Sequence, residues 1–484
     1  MSKKDGIVDT KATLAFGFGD FFGGGSFLII GTLFMFYLTQ VVGLKPALAG
    51  SVVLVGKIWD AISDPLFGCI SDRTKSRYGR RRVYFLAGIL PVFVTYFFLW
   101  MTFHFQSQWA KFLYYTLAYI MFCTVYTMLM VPYNSLMTEM TTDYKKRSNL
   151  SAAKMGFSQF SALIAGTIPG YIVNTLYKDN PEKGFMLVGL FFGIAYAIPW
   201  IVVFLGTWED DTVAVENTKT LSESFKQLFS LFKNRTYKIH ILMYIFAYSA
   251  MDILSASFIY YVTYVMGRKE IFTLCLGSML IFQLLLLPLY FHIANKIGKG
   301  KVYTIGASIT VLVLMVFLFV PNNSPKMLLI ILSACLGVGF CPIIAMPWAM
   351  LPESSDVDEL LHGDQRTGAV SGTFTLTRKM VQAVILWLFG LLLAAIGFTE
   401  NAPTQSVETV KGLKIIFSIA PLIFIAIGLI ISLSYPVTPH TFKICRKELD
   451  RVRAGGNPEE ADNKTRKVCS KLMGHEYPKE TQRK

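Results

Sequence analysis

The chain has 484 residues, of which 53% are hydrophobic and 16% charged, whereas about 25% of a soluble protein is charged. An ordinary soluble enzyme is thereby excluded, and an all-α polytopic membrane protein is expected. The net charge of +15 comes from Lys and Arg spread over short loops and the C-terminal segment, which suits membrane topology and not the one-sided basic face of a nucleic-acid binder. Seven cysteines, an odd number without C-x-x-C spacing, predict neither a disulfide framework nor a metal-ligand set.

Twelve apolar runs are long enough to cross ~30 Å of hydrocarbon: 13–40, 46–71, 83–103, 110–137, 150–176, 185–207, 238–266, 270–295, 302–320, 327–351, 367–397 and 412–435. The first lacks the short apolar core and small-residue cleavage site of a signal peptide, so a retained span is expected. It carries Asp20 and the small residues Gly17, Gly19 and Gly23, which suit close helix packing. No strand precedes them, as a dinucleotide-binding loop would require.

The second run contains the most informative stretch, Lys57-Ile58-Trp59-Asp60-Ala61-Ile62-Ser63-Asp64-Pro65. A carboxylate at mid-membrane costs roughly 2.5–3.5 kcal/mol, and intramembrane acids mark ion or substrate paths. Asp60, Ser63 and Asp64 stand at i, i+3 and i+4 on one helix face. Such oxygen donors suit an alkali cation held by Asp60 and Asp64, or a proton carried on a carboxylate, and the residues alone leave both open. A packing salt bridge to Lys57, three residues earlier, is the competing structural reading. Span four offers a further hydroxyl at Thr127.

Basic residues then orient the spans. Six lie between Asp72 and Arg82 after span two, Lys145, Lys146 and Arg147 follow span four, and Lys296, Lys299 and Lys301 follow span eight. By the positive-inside rule both termini are expected in the cytoplasm and the protein in the inner membrane. Asp72, Arg73, Arg147, Asp364 and Arg366, at cytoplasmic helix ends, are candidates for a gate of ion pairs.

The longest interhelical loop divides the spans six and six: an N-terminal bundle (1–207), a central loop (208–237), a C-terminal bundle (238–435) and a tail (436–484). The halves echo each other. Phe36 to Gly43 resembles Tyr260 to Gly267, Pro65 to Arg73 resembles Pro288 to Lys296, and Val131 to Leu136 resembles Met346 to Leu351, at offsets of 224, 223 and 215. Two parallel six-helix repeats are expected, rocking about a central site. Asp60 and Asp64 map onto Gln283 and Leu287, so the acids belong to one half, which favours a ligand role over shared packing.

Gly17-Phe18-Gly19-Asp20, Trp59 to Pro65, Tyr126-Thr127 with Pro132, Asp356 with Asp358-Glu359-Leu360, and Arg378-Lys379 resemble the glycoside–pentoside–hexuronide:cation symporters, the melibiose permease-like family of the major facilitator superfamily. The likeness runs from Leu14 to Pro436. It implies the major facilitator fold and secondary active symport of a sugar or glycoside coupled to sodium or protons. It also implies a cation site of Asp60, Ser63, Asp64 and Thr127, with Ser63 where the family has asparagine. Lys154 matches a basic position in span five and Lys379 one in span eleven.

The sugar side departs from the family pattern. Its acidic and aromatic positions fall at Gly24, Met130, Asn134 and near Ile344, while Asp20 and Trp348 lie one turn away. Asp20, Asn134, Lys154, Trp348 and Lys379 are the candidate substrate residues, and a sugar other than melibiose, including an anionic glycoside, is expected. No catalytic constellation is found, and no cofactor beyond the coupling cation. The expected partners are substrate, monovalent cation and membrane lipid, with the protein a monomer and no nucleic acid bound. A lysolipid transporter on the same fold and a non-transporting sensor acting through the tail are the alternatives. The tail's Lys443, Arg446, Lys447, Arg451 and Arg453 are expected to meet anionic lipid, with a flexible stretch around Gly455 to Glu460.

Overall fold

The computed structural model describes residues 8–141, 144–209, 230–363 and 366–478. Among the described residues, twelve long helices follow the apolar runs closely. They are α1 (Thr10–Gln40), α2 (Pro46–Arg73), α3 (Arg82–Leu99), α4 (Gln108–Met140), α5 (Tyr144–Tyr171), α6 (Pro181–Gly206), α7 (Arg235–Val265), α8 (Phe272–Ile297), α9 (Lys299–Phe319), α10 (Lys326–His362), α11 (Thr367–Ala395) and α12 (Val407–Ser432). Eleven are long and apolar enough to cross a membrane. The exception, α5, has the length but is rich in hydroxyl and basic residues along its first turns, and it packs against α1 and α8. The charged middle of the central loop, residues 210–229, lies outside the described residues.

The repeat written in the sequence recurs in the packing. In the first half α1 packs on α5, α2 on α4 and α3 on α6; in the second α7 packs on α11, α8 on α10 and α9 on α12. The halves meet along three seams, α2 with α11, α5 with α8 and α1 with α7. At the α2–α11 seam the backbones nearly touch. A Cβ on Gly390 would lie 2.6 Å from the Pro46 carbonyl oxygen and 3.0 Å from the Gly50 Cα, so only small residues permit this crossing.

The echo between Gly43 and Gly267 has a conformational cause. Each closes the first helix of its half, at φ +69° and +62°, in the left-handed region that glycine enters without strain. Each follows a π-helical turn, Ile30–Phe34 within α1 and Tyr261–Val265 at the end of α7. At this end the halves close on each other. Thr39 Oγ1 lies 2.7 Å from Tyr260 Oη, the Tyr264 hydroxyl donates to Gln40, and Asn401 N donates to the Thr39 carbonyl at 3.3 Å.

The opposite, basic end departs from expectation in two places. First, α10 runs eleven residues beyond its predicted end, from Leu351 to His362. Its extra turns carry acids, each neutralised by a base: Glu353 by Lys299 at 2.8 Å, Asp356 by Arg446 at 2.7 Å, Asp358 by Arg366 at 2.8 Å and Glu359 by Arg453 at 2.7 Å. Second, the tail is folded. It forms α13 (Pro439–Arg453) and α14 (Asn463–Met473), which pack on α10 and α7. A reciprocal capping pair, Thr438 with Thr441, starts α13. The stretch expected to be flexible forms a short 3₁₀ turn, Pro458–Glu460, with Arg451 donating to the Asn457 carbonyl at 2.8 Å. Arg446 and Arg453 therefore meet carboxylates of their own chain.

Candidate functional site

The α2 face predicted from spacing does turn one way, toward α4 and α11. Asp60 is fully buried, while Asp64 keeps 30% of its side chain exposed. From α4, Thr127 Oγ1 lies 3.1 Å from Asp60 Oδ1 and 3.0 Å from Asp64 Oδ1. Its single proton serves one of them at a time. Ser63 Oγ lies 3.2 Å from Thr127 Oγ1 and 3.1 Å from the carbonyl oxygen of Asp60, and its single proton goes to one of them at a time. The four residues proposed from sequence as one cation site thus share one cluster of oxygens.

Two ammonium groups compensate the two carboxylates. Lys379, from α11 in the other half, lies 2.6 Å from Asp64 Oδ2 and 3.1 Å from Asp60 Oδ2. Lys57 lies 3.8 Å from Asp60 Oδ2 and sits over the Phe27 ring at 3.3 Å. The local salt bridge to Lys57 is therefore real, but it is the longer of the two contacts. Asp60 Oδ2 is wholly buried and meets the two ammonium groups, Lys379 at 3.1 Å and Lys57 at 3.8 Å, with no hydroxyl or backbone donor on it among the described residues. A buried acceptor facing only cations is costly unless a positive charge stays beside it, and such an oxygen is a ready ligand for a bare cation.

The first-half substrate candidates also converge. Lys154 donates to Asn134 Oδ1 at 2.5 Å, lies 3.9 Å from Asp20 Oδ1, and stands 5.4 Å from the centre of the Tyr133 ring. Asp20 is nearly buried, at 8% exposure. Position 24, acidic in the family pattern, has no room for a side chain here, because a Cβ would come within 2.3 Å of Ser158 Oγ on α5. Close packing of α1 on α5 removes that acid, and Asp20 supplies one a turn earlier.

Trp348 stands apart, on the second half. Its indole N–H donates to Tyr248 Oη at 2.8 Å, its ring meets Phe374 and Tyr244, and 43% of it is exposed. Beside it lies a pair that sequence reasoning did not single out. Arg378 grips Asp252 of α7 through two nitrogens, at 2.6 and 2.7 Å, and Gln382 donates to the same carboxylate at 3.2 Å. Asp252 interrupts an apolar span just as Asp20 does, and that alone would have flagged it.

Two of the gate residues are paired within their own halves in this conformation. Asp72 pairs with Arg81 at 2.9 Å, and Arg366 with Asp358, each within its own half. Arg147 donates to the Thr141 carbonyl at 2.7 Å, Arg73 is exposed at the end of α2, and Asp364 lies outside the described residues. Among the described gate residues, the acid Asp72 already has a base on its own side.

Two pseudo-symmetric helical bundles with paired charges at their boundary define a membrane transporter of the major facilitator class. A bacterial homologue of the human lysosomal transporter Spinster, solved by crystallography, shares this fold with a TM-score of 0.68 at 12% identity, over 92% of this chain and 99% of that one. The chain belongs to the MFS/sugar transport protein family, whose model matches residues 15–439. It is similar to an uncharacterized symporter of Synechocystis sp., at 28% identity over 90% of this chain and 96% of the relative. It is also similar to the sodium-dependent lysophosphatidylcholine symporter 1-A of Danio rerio, at 27% identity over 91% and 88%. The protein is a multi-pass membrane transporter and not an enzyme.

Proposed function

We propose that this protein is a secondary active symporter that couples uptake of a sugar or glycoside to sodium or protons by alternating access. Asp60, Ser63, Asp64 and Thr127 hold the coupling cation; Asp20, Asn134, Lys154, Lys379 and Trp348 face the substrate. The protein sits in the inner membrane with its basic end in the cytoplasm, as the distribution of Lys and Arg favours.

The observation that carries this reading is the Lys379 ammonium lodged between Asp60 and Asp64 across the seam of the two halves. An arriving cation competes with Lys379 for the same oxygens. Its binding frees Lys379 to meet substrate and loosens a bond between the halves. Cation and sugar then raise each other's affinity, as linkage requires. Asp72, Arg73, Arg147, Asp364 and Arg366 form the cytoplasmic gate when that end closes.

A second reading, a lysolipid cargo, is favoured by the likeness to the lysophosphatidylcholine symporter. Counterflow in proteoliposomes decides between them, with a panel of labelled sugars and lysophosphatidylcholine tested in sodium, lithium and low-pH buffers. Exchange of a sugar that lysophosphatidylcholine does not inhibit supports the proposal. Exchange of the lysolipid alone overturns the sugar assignment.

A further inference from the structure

We infer that Asp252, Arg378 and Gln382, with the exposed face of Trp348, form the second-half wall of the substrate site and select an uncharged polyol face on the substrate. This rests on the sugar reading above and adds residues to it.

The two halves build the same device. In the first, a base on the fifth helix, Lys154, faces an acid on the first helix, Asp20, at 3.9 Å. In the second, the base on the corresponding helix α11 is Arg378, and the acid on the corresponding helix α7 is Asp252, in contact at 2.6 Å. Lys154 and Arg378 are separated by the offset that relates the repeats at Phe36 and Tyr260. Substrate sites of such transporters lie between the repeats, so if Lys154 and Asp20 line one wall, Arg378 and Asp252 are placed to line the other. Arg378 also precedes Lys379, whose own side chain reaches α2.

The chemistry then fixes the preference. Arg378 gives two of its five N–H groups to Asp252, and its guanidinium lies 4.6 Å from the centre of the Tyr248 ring. Tyr248 in turn accepts from the Trp348 indole, so an aromatic ledge runs from Arg378 to an exposed tryptophan face. The pair is neutral overall, which gives an anion little reason to approach. Spare donors on Arg378 and spare lone pairs on Asp252 match adjacent hydroxyls of a sugar, while Trp348 offers its face to the ring's C–H groups. Disrupting Asp252 would turn the same wall cationic.

The test compares uptake of matched methyl glycosides and their uronide counterparts, glucoside with glucuronide and galactoside with galacturonide, in vesicles bearing wild-type or Asp252→Asn protein. The expected result is a wild-type preference for a neutral member and a shift toward its uronide of about tenfold or more in Asp252→Asn, the range of a charge-assisted hydrogen bond. The double variant Asp252→Asn/Arg378→Gln loses that shift. If wild type exchanges a sugar and Asp252→Asn lowers both members of the pair in equal proportion, the ion pair is only a strut and the inference is overturned. If wild type exchanges none of the four glycosides, while lysophosphatidylcholine is carried, the sugar reading and this wall fall together.

Discussion

Lys379 and Asp64 are 315 positions apart in the chain and 2.6 Å apart in space, and the contact spans the boundary between the two six-helix halves. It ties the α2 acids to the half that lacks such acids of its own in the equivalent span. On the proposed reading, neutralising Asp60 and Asp64 by another cation weakens this tie and links ion occupancy to movement of the halves through one ammonium group.

Removing that ammonium leaves the buried Asp60 with Lys57 alone and the partly exposed Asp64 without a basic partner among the described residues. Lys379→Met is expected to melt at a lower temperature than wild type in cation-free buffer and to recover most of the loss when the coupling cation is added. Its half-saturating cation concentration should fall by about tenfold, since the competitor for the oxygens is gone. Differential scanning fluorimetry across a cation titration measures both effects. A variant whose melting point ignores the cation would argue that Lys379 and the ion do not share a site.

Thr127 is the one proposed ligand supplied by α4, within 3.1 Å of both acids. Thr127→Val keeps the shape and deletes the hydroxyl, at a cost of about 1.5–3 kcal/mol for a hydrogen bond to a charged group. Half-saturating cation concentration should rise roughly tenfold or more, with Thr127→Ser close to wild type. Equal behaviour of the valine and serine variants in cation-stimulated uptake would remove Thr127 from the site.

The α2–α11 crossing leaves no space for a β-carbon on Gly390 and only a tight fit for one on Gly50, 3.0 Å from the Trp387 carbonyl oxygen. Gly390→Val should force these helices apart and weaken closure at the Gly43 end. Uptake falls by at least about fivefold, in line with overpacking costs of about 1–3 kcal/mol. A Thr39→Cys reporter in the same background becomes more reactive toward a membrane-impermeant maleimide. Unchanged labelling would show that this crossing does not govern closure.

The tail is held to α10 by Arg446 with Asp356 and by the two-pronged pair of Arg453 with Glu359. Both arginines are partly exposed, so each pair is screened by salt and worth little more than about 1 kcal/mol. Arg453→Glu should speed tryptic cleavage within α13 severalfold, high salt should do the same to wild type, and Glu359→Arg in the Arg453→Glu background should slow it again. Cleavage rates indifferent to all three changes would mean that the apolar face of α13 alone holds the tail.

Much of the fold was legible because membrane spans are read from length and apolarity, and the repeat survived in residues with a backbone reason to persist, such as Gly43 and Gly267. The α2 cluster was legible for a related reason, since an acid in an apolar span is conspicuous and helical spacing fixes its face. What could not be read were contacts between distant segments. The Arg378 to Asp252 pair joins residues 126 positions apart, and neither spacing nor composition reports such a meeting. The extra turns of α10 lie outside the apolar run because residues 353–359 are mostly acidic and polar. Lys299, Arg366, Arg446 and Arg453, which neutralise those acids, are brought there only by the fold.

The central claim, that the α2 acids carry the coupling ion, is tested most directly by gradient-driven accumulation. Vesicles bearing wild-type or Asp60→Cys protein are given an imposed sodium gradient or, separately, an imposed proton gradient, and accumulation of the sugar identified by counterflow is followed. Wild type is predicted to accumulate it under one of the two gradients, whereas Asp60→Cys reaches the membrane and accumulates it under neither. Gradient-driven accumulation by Asp60→Cys equal to wild type would contradict the account.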